Sequence, residues 1–236
     1  VAKARADQLL AQYRVKDDDD RLGYLLMRAK LRVLTQDDVN QTIDYFDNTP
    51  RDGKDPDHQA DAYGYALALM SAGRYTEAAP IVDRLLGYNR NKIAYLIAKA
   101  QIELGTDHAP AALQIFTDAL KLYPQNPSLT VSYAQALLQS KRPQQAAGVL
   151  RQYIRGQAPA PELYNLLARA EGEAGHPVDA HQSLAEYYYL RGQTRTAIEQ
   201  LNIALSLSKE QDDPYQTPRI KARLEQLKHE VRAEKE

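Results

Sequence analysis

A helix–turn–helix unit recurs through the middle of this chain, and an internal repeat constrains the fold more strongly than any other feature of the sequence. The clearest unit is residues 62–86, AYGYALALMSAGRYTEAAPIVDRLL. Apolar residues spaced three and four apart predict two amphipathic helices in it, and Gly73 between them is the residue type that commonly follows a helix end. The small residues Ala66 and Ala78 lie in the first and second predicted helices. The unit is therefore predicted to be an antiparallel helix pair.

Small residues at corresponding positions mark further units. In the first helices they are Ala66, Ala98, Ala134 and Ala168, at nearly even spacings, with a weaker match at Ala29. The turns follow at Gly73, Gly105, Lys141 and Gly175, and the second-helix positions at Ala78, Ala112, Ala146 and Ala180. Two antiparallel helices approach closely only where side chains are short, and an ordinary helical bundle also has alanine at such crossings. Four units that each have a turn at the same place favour a stack, in which each helix pair covers the next, over an ordinary bundle.

A period of about 34 residues with this pattern resembles the tetratricopeptide repeat. The unit from 98 to 124 matches best, with Phe116, Ala119 and Pro124 in that family's places and two extra residues before Ala112. The resemblance implies an all-α fold, a tetratricopeptide-repeat α-solenoid of antiparallel helix pairs wound into a superhelix.

Three regions are predicted along the chain. Residues 1–48 are N-terminal helices, with a helix over 1–16, a turn or helix start at the aspartates 17–20, and a degenerate pair over 21–47. A loop rich in Pro, Gly and Asp over 48–59 precedes the repeat array, residues 60–209. Gly192 follows Gly175 after only half a repeat, so one helix between them is expected to serve two units. Residues 210–236 are a linker and a C-terminal capping helix.

Composition excludes several classes of function. Lys and Arg number 30 against 31 Asp and Glu, and no basic stripe appears, so nucleic-acid binding is disfavoured. The chain lacks cysteine and any apolar run near the roughly 20 residues of a membrane span. His176 and His181 do not have the i, i+4 spacing of helical metal ligands, which favours a surface role. We find no catalytic motif and expect no catalytic residue, cofactor or metal site in this chain.

The first helices are expected to line a binding groove, because the inward-facing positions of the family lie three before, one after and four after the crossing alanine. Some of these residues could instead pack against the next unit. The groove is mixed, apolar toward the front and polar further on, which suits extended or partly folded protein segments. The predicted partner-binding residues are Tyr63, Leu67, Met70, Tyr95, Lys99, Ile102, Gln135, Leu138, Asn165 and Arg169; Val131 and Gly172 complete the pattern.

Three consecutive tyrosines, Tyr187, Tyr188 and Tyr189, form a second candidate contact surface. Consecutive residues are about 100° apart around a helix, so the three rings cannot all face one way. At least one is expected to be exposed or to contact a neighbouring element.

The tail of the chain, GHPVDAHQSLAEYYYLRGQTRTAIEQLNIAL and then PYQTPRIKARLEQ, is more specific than a generic repeat. It resembles the C-terminal tetratricopeptide part of bacterial periplasmic zinc metalloproteases. The resemblance implies a periplasmic location, an interaction domain for the β-barrel assembly machinery and outer-membrane β-barrel substrates, and a zinc-binding protease domain that precedes it. The zinc motif HExxH of that family is not in this chain, because His229-Glu230 is followed by Val231, Arg232 and Ala233.

The chain begins at Val1 without a signal peptide, and we expect it to be a fragment of a longer protein. The alternative is a stand-alone adaptor or scaffold with no protease domain. An HExxH motif in the upstream reading frame would favour the first hypothesis, and a signal peptide ending near Val1 the second. An enzyme within the chain itself is the least favoured of the three.

Overall fold

The computed structural model describes residues 18–155, 160–212 and 214–233, and these residues form helices joined by short turns. Within them there are twelve helices and no strand, as the repeat pattern predicts. In chain order they are α1 Asp18–Thr35, α2 Val39–Asp47, α3 Pro56–Ser71, α4 Tyr75–Tyr88, α5 Ile93–Gly105, α6 Ala109–Leu122, α7 Pro127–Gln139, α8 Pro143–Ile154, α9 Pro161–Glu173, α10 Pro177–Leu190, α11 Thr194–Glu210 and α12 Gln216–Ala233. The helix predicted over residues 1–16 lies outside the described residues.

The helix starts follow from local chemistry. Asp55 accepts a hydrogen bond from the backbone N–H of His58, and Pro56 occupies the first turn, where its missing N–H costs nothing. Asn126 and Pro127 begin α7 in the same way. The loop predicted over 48–59 is therefore shorter than expected, because residues 56–59 already belong to α3.

The turns between paired helices recur at more even spacing along the chain than the predicted alanines do. One residue in each turn has a left-handed backbone, and these residues are Gly73, Asp107, Lys141 and Gly175, which are evenly spaced along the chain. The buried alanines Ala78, Ala112, Ala146 and Ala180 each follow by five positions. A left-handed residue at this place lets the chain leave one helix and enter the next within a short turn.

The prediction that Gly105 is the turn residue is wrong. Gly105 is the last residue of α5, and the left-handed residue is Asp107. A side chain on Gly105 would lie 2.5 Å from the Tyr75 ring, so glycine is needed there for close packing rather than for the turn. Both Ala98 and Ala100 are buried, but Ala100 lies seven positions before the left-handed Asp107, as Ala66 does before Gly73, so the register makes Ala100 the crossing alanine. With Ala100 the first-helix alanines are as evenly spaced as the turns, and the two extra residues before Ala112 disappear.

The chain divides into two compact units after Ala119. In the first unit, α3 packs against α1, α2 and α4, and α4 packs against α5. The core of this unit is built from aromatic and aliphatic side chains around three buried alanines: Phe46, Tyr63, Ala66, Leu69, Ala78, Val82, Leu85, Tyr95 and Ala98.

In the second unit, successive helices from α7 to α12 pack in order, and the first helices α7 and α9 also touch. The helix α10 lies between left-handed turns at Gly175 and Gly192, with the buried Ala180 five positions after the first and the buried Ala185 seven before the second, as the prediction of a shared helix requires. The last helix, α12, buries Ile220, Leu224 and Leu227.

Candidate functional site

The corrected register shifts the first-helix surface by two positions in one repeat. The positions three before, one after and four after Ala100 are Ile97, Gln101 and Leu104. Gln101 is exposed, and Ile97 and Leu104 are half-buried. Sequence reasoning missed these three residues, although a signal for them was present. The interval between Ala100 and Ala112 equals that between Ala66 and Ala78, whereas the interval from Ala98 does not.

The residues predicted in their place serve the interior of the first unit. Tyr95 and Ile102 are buried, and the Tyr95 hydroxyl donates a 3.0 Å hydrogen bond to Oε1 of the buried Gln59. Lys99 is half-buried, and its Nζ lies 2.8 Å from a carboxylate oxygen of Asp83 and 3.1 Å from one of Glu103. These three side chains therefore connect helices instead of forming an open surface.

Electrostatics agree with a structural role for Lys99. Burial alone would lower the pKa of its ammonium group, but the hydrogen bonds to Asp83 and Glu103 outweigh burial and raise that pKa. The ammonium group is thus held in its charged form by two carboxylates of its own unit.

Burial also removes three other predicted groove residues from the surface. Tyr63, Met70 and Leu138 are buried, and burial raises the pKa of the Tyr63 phenol to about 12. The Tyr63 and Tyr95 rings lie 5.8 Å apart between α3 and α5. Of the predicted residues in the first repeat, only Leu67 reaches solvent in part.

In the first unit, α3 and α5 are in contact, and their accessible first-helix positions form a mostly apolar surface. Its members are Leu67, Ile97, Gln101 and Leu104. We call this set the first-unit face.

In the second unit, the corresponding positions on α7 and α9 are polar. Gln135, Asn165 and Arg169 are exposed, and Val131 is half-buried. Arg169 Nε donates a 2.8 Å hydrogen bond to Glu173 one turn along, at the exposed surface. The amide and guanidinium groups present several hydrogen-bond donors with little net charge, and we call Val131, Gln135, Asn165 and Arg169 the second-unit face.

The three tyrosines of α10 are each half-buried and have different surroundings. Tyr187 receives a hydrogen bond from Arg191, whereas Tyr188 and Tyr189 pack against the core of the second unit. The Arg223 guanidinium of α12 lies 4.5 Å from the Tyr189 ring centroid. As expected from their spacing, at least one ring contacts a neighbouring helix, and a role for the three in partner binding stays a prediction.

The helix α9, which carries Asn165 and Arg169, also carries a buried carboxylate. Glu171 on α9 accepts hydrogen bonds from Ser183 at 2.6 Å and from Arg151 at 2.9 Å, and Arg151 also binds Asp179 at 2.8 Å. Burial raises the pKa of Glu171, and the hydrogen bond from Ser183 and the charge of Arg151 offset only part of that effect. This network links α8, α9 and α10 and holds the α9 surface in place.

Among the described residues, no group of three or more His, Asp or Glu side chains is arranged to hold a metal ion. None of the described helices is both long and apolar enough to cross a membrane.

The helix pairs and their evenly spaced turns define a class of protein, and comparisons with known families agree. Two models of the tetratricopeptide repeat match the chain, one over residues 38–92 and the other over residues 104–170. The chain belongs to the tetratricopeptide-repeat family, and its repeats make it a protein-interaction domain.

A more particular similarity covers nearly the whole chain. The β-barrel assembly-enhancing protease of Escherichia coli strain K12 is 31% identical over 228 residues, which cover 96% of this chain and 45% of that protein. The β-barrel assembly-enhancing protease of Yersinia pestis is 27% identical over 230 residues, covering 96% of this chain and 46% of that protein. The chain thus spans somewhat less than half the length of these relatives.

Solved structures with a similar fold are also tetratricopeptide-repeat proteins. One from Parabacteroides merdae matches with a TM-score of 0.58 at 16% identity, covering 78% of this chain and 71% of the other. A thermophilic one from Thermus thermophilus matches with a TM-score of 0.54 at 16% identity, covering 78% and 97%. At this identity the likeness concerns the fold alone.

Proposed function

We propose that this chain is the partner-binding domain of a periplasmic protein that acts in the assembly and quality control of outer-membrane β-barrel proteins. The observation that carries the proposal is the 31% identity to a β-barrel assembly-enhancing protease over 96% of the chain. The proposed partners are the β-barrel assembly machinery and β-barrel proteins that have not yet folded. Zinc and proteolytic chemistry belong, in this proposal, to a preceding domain outside these residues.

The chemistry of the two faces suits an unfolded β-barrel segment. Strands of outer-membrane barrels alternate apolar and polar side chains, and until they pair their backbone donors and acceptors are open. The first-unit face offers the apolar side chains of Leu67, Ile97 and Leu104. The second-unit face offers the amide and guanidinium groups of Gln135, Asn165 and Arg169. Each face can therefore contact such a segment by itself.

The absence of a strong charge on these faces also fits this class of partner. The whole chain has a formal net charge of −1, and Arg169 is balanced by Glu173. Recognition by apolar contact and neutral hydrogen bonds tolerates many sequences, whereas recognition by charge would select acidic or basic segments. A domain that meets many different β-barrel proteins needs the former.

Site-specific photo-crosslinking in cells tests the proposal. A photoreactive amino acid replaces Gln101, Gln135 or Arg169, one at a time, on the exposed first-helix positions. Matched controls replace Gln114 on α6 and Gln152 on α8, which are exposed positions of second helices. We expect adducts with a component of the β-barrel assembly machinery or with outer-membrane β-barrel proteins from the first-helix positions and not from the controls.

Two outcomes would reject the proposal. Adducts of equal yield from Gln114 and Gln152 would show that the first-helix surface has no special role. Adducts from Gln101, Gln135 and Arg169 with proteins unrelated to outer-membrane β-barrels would keep the surface but reject the partner class.

A further inference from the structure

The first described helix, α1, is apolar on two opposite sides. One side is buried against α3 by Leu22, Leu25, Leu26 and Ala29. The other side carries large apolar side chains that remain in solvent, with exposed fractions of 67% for Tyr24, 57% for Met27, 51% for Leu31 and 68% for Leu34. We call these four residues the outer α1 stripe. A helix that is apolar all round normally packs on both sides.

The last described helix, α12, has instead the polar outer face of a helix that ends a repeat array. On α12, Ile220, Leu224 and Leu227 face the core, while Lys221, Glu225, Gln226 and His229 are exposed. Such a polar outer face is typical of the helix that terminates a repeat array. The outer α1 stripe has the opposite chemistry, so the burial of apolar area on α1 is incomplete without another element.

The spacing of the stripe matches a single helix. Tyr24, Met27, Leu31 and Leu34 recur at intervals of three, four and three, the pattern of a seam between two packed helices. Ten residues separate its ends, which corresponds to about 15 Å along the axis at about 1.5 Å per residue. A partner helix of about three turns is enough to cover it.

The border of the stripe is basic. Arg28 lies on one side of the stripe and Lys30 on the other, and both are exposed. In a seam of two helices, the residues that flank the apolar positions set the choice of partner through their charges. Acidic flanking residues on the partner would complement this border, and basic ones would be repelled.

Charge argues against two occupants that the chain itself could supply. A second copy paired through α1 would bring Arg28 and Lys30 toward the same residues of the other copy. Residues 1–16 carry Lys3, Arg5, Arg14 and Lys16 against the single acid Asp7, so their charge also matches that of the border. Neither offers the acidic flanks that the border favours.

We propose that the outer α1 stripe binds an acidic amphipathic helix of a partner protein. The apolar residues of that helix pack on Tyr24, Met27, Leu31 and Leu34, and its acidic residues pair with Arg28 and Lys30. This surface lies on α1 and shares no residue with the first-unit and second-unit faces, so it is a separate contact from the one proposed for β-barrel segments.

Two synthetic peptides of about 20 residues, long enough to form helix in water, test the proposal. Both carry leucine at alternating three- and four-residue spacing, and they differ only in having Glu or Lys at the flanking positions. Fluorescence anisotropy measures their binding to the full 236-residue chain. We expect the acidic peptide to bind at least about tenfold more tightly than the basic one, with an affinity that falls as salt is added.

Variants locate the contact. Leu31→Asp should weaken binding of the acidic peptide by about tenfold or more, because a leucine of the peptide loses its apolar partner. Lys30→Glu should weaken it about twofold, since one exposed ion pair is lost. The matched control Leu122→Asp changes a similarly exposed apolar residue on α6 and should leave binding unchanged.

Four results would overturn the proposal. Equal affinity for the two peptides, or binding unaffected by Leu31→Asp, would remove the role of charge or of the stripe. Tighter peptide binding in a Leu9→Asp, Leu10→Asp double variant would show that residues 1–16 occupy the stripe instead. A dimer detected by light scattering that Leu31→Asp dissociates would show that a second copy does.

Discussion

Phe46 packs so closely against α3 that Gly64 has no room for a side chain, and this contact gives a prediction with a defined magnitude. A Cβ atom at Gly64 would overlap the Phe46 ring, with Cε2 of the ring 2.9 Å away. Phe46 is only 1% exposed, so its ring cannot swing into solvent to make room. We therefore expect Gly64→Ala to destabilise the first unit.

Two opposing terms set the size of the effect. Alanine is more favourable than glycine inside a helix by about 1 kcal/mol. Overpacking an enclosed core site costs about 1 to 3 kcal/mol, and the overlap with a buried ring places Gly64→Ala at the upper end. The net expected loss in the free energy of unfolding is therefore about 2 kcal/mol.

Urea unfolding followed by circular dichroism measures this loss, and two variants serve as controls. Gly23→Ala lies within α1, where a Cβ atom would meet nothing within 4 Å, so it should stabilise the same unit by about 0.5 to 1 kcal/mol. Phe46→Leu should lower stability on its own but remove the penalty of Gly64→Ala in the double variant. Stabilisation by Gly64→Ala alone, as large as that of Gly23→Ala, would refute the expected overlap.

Three further predictions concern a turn, a buried ion pair and a buried hydroxyl. Lys141→Gly should raise the free energy of unfolding by about 0.5 to 1 kcal/mol in urea titrations, because Lys141 has φ of 56° and glycine adopts this conformation without strain. Arg151→Ala should lower stability by about 2 kcal/mol, allowing for its partial exposure, by leaving Glu171 without its cation. Folding raises the pKa of Glu171, so the protonated carboxyl favours the folded state and this contribution falls as pH rises through the raised pKa. Thermal unfolding should therefore show a larger loss of stability from Arg151→Ala at pH 7 than at pH 4. Tyr95→Phe should cost about 1 to 2 kcal/mol by depriving Gln59 of a buried donor, while photo-crosslinking from Gln101 should be unchanged.

Repeat periodicity predicted the fold well because it depends on packing that the sequence expresses directly. Ala66, Ala134 and Ala168 are buried, and short side chains are favoured where two helices approach closely, so their spacing predicted the repeat without a structure. The shared helix between Gly175 and Gly192 was predictable for the same reason, since glycine at both turns has a left-handed backbone.

The error at the second repeat has a physical cause. A glycine can be needed either for a left-handed backbone or because another group packs against it too closely for a side chain. Gly105 is needed for the latter reason, because the Tyr75 ring packs against it. The left-handed residue, Asp107, is of a type less often found there, although aspartate tolerates this conformation better than most residues. Sequence alone did not distinguish the two uses, and the mistake replaced three accessible positions with residues that serve the interior.

Burial of the candidate surface was harder to predict than its register. The pattern of inward-facing positions does not tell whether a neighbouring helix covers a side chain, and Tyr63 is buried with its ring 5.8 Å from that of Tyr95 on α5. The apolar outer side of α1 was equally unexpected, because the buried and exposed leucines of that helix are of the same residue type.

We propose that the exposed first-helix positions of each unit, in the corrected repeat register, contact β-barrel segments. Backbone amide NMR of the isotopically labelled chain, titrated with a peptide from an outer-membrane β-barrel strand, tests it most directly. We predict that shifts and line broadening concentrate at Gln101, Leu104, Gln135 and Arg169. Changes confined to second-helix positions such as Gln114 and Gln152, or no change at any peptide concentration, would contradict it.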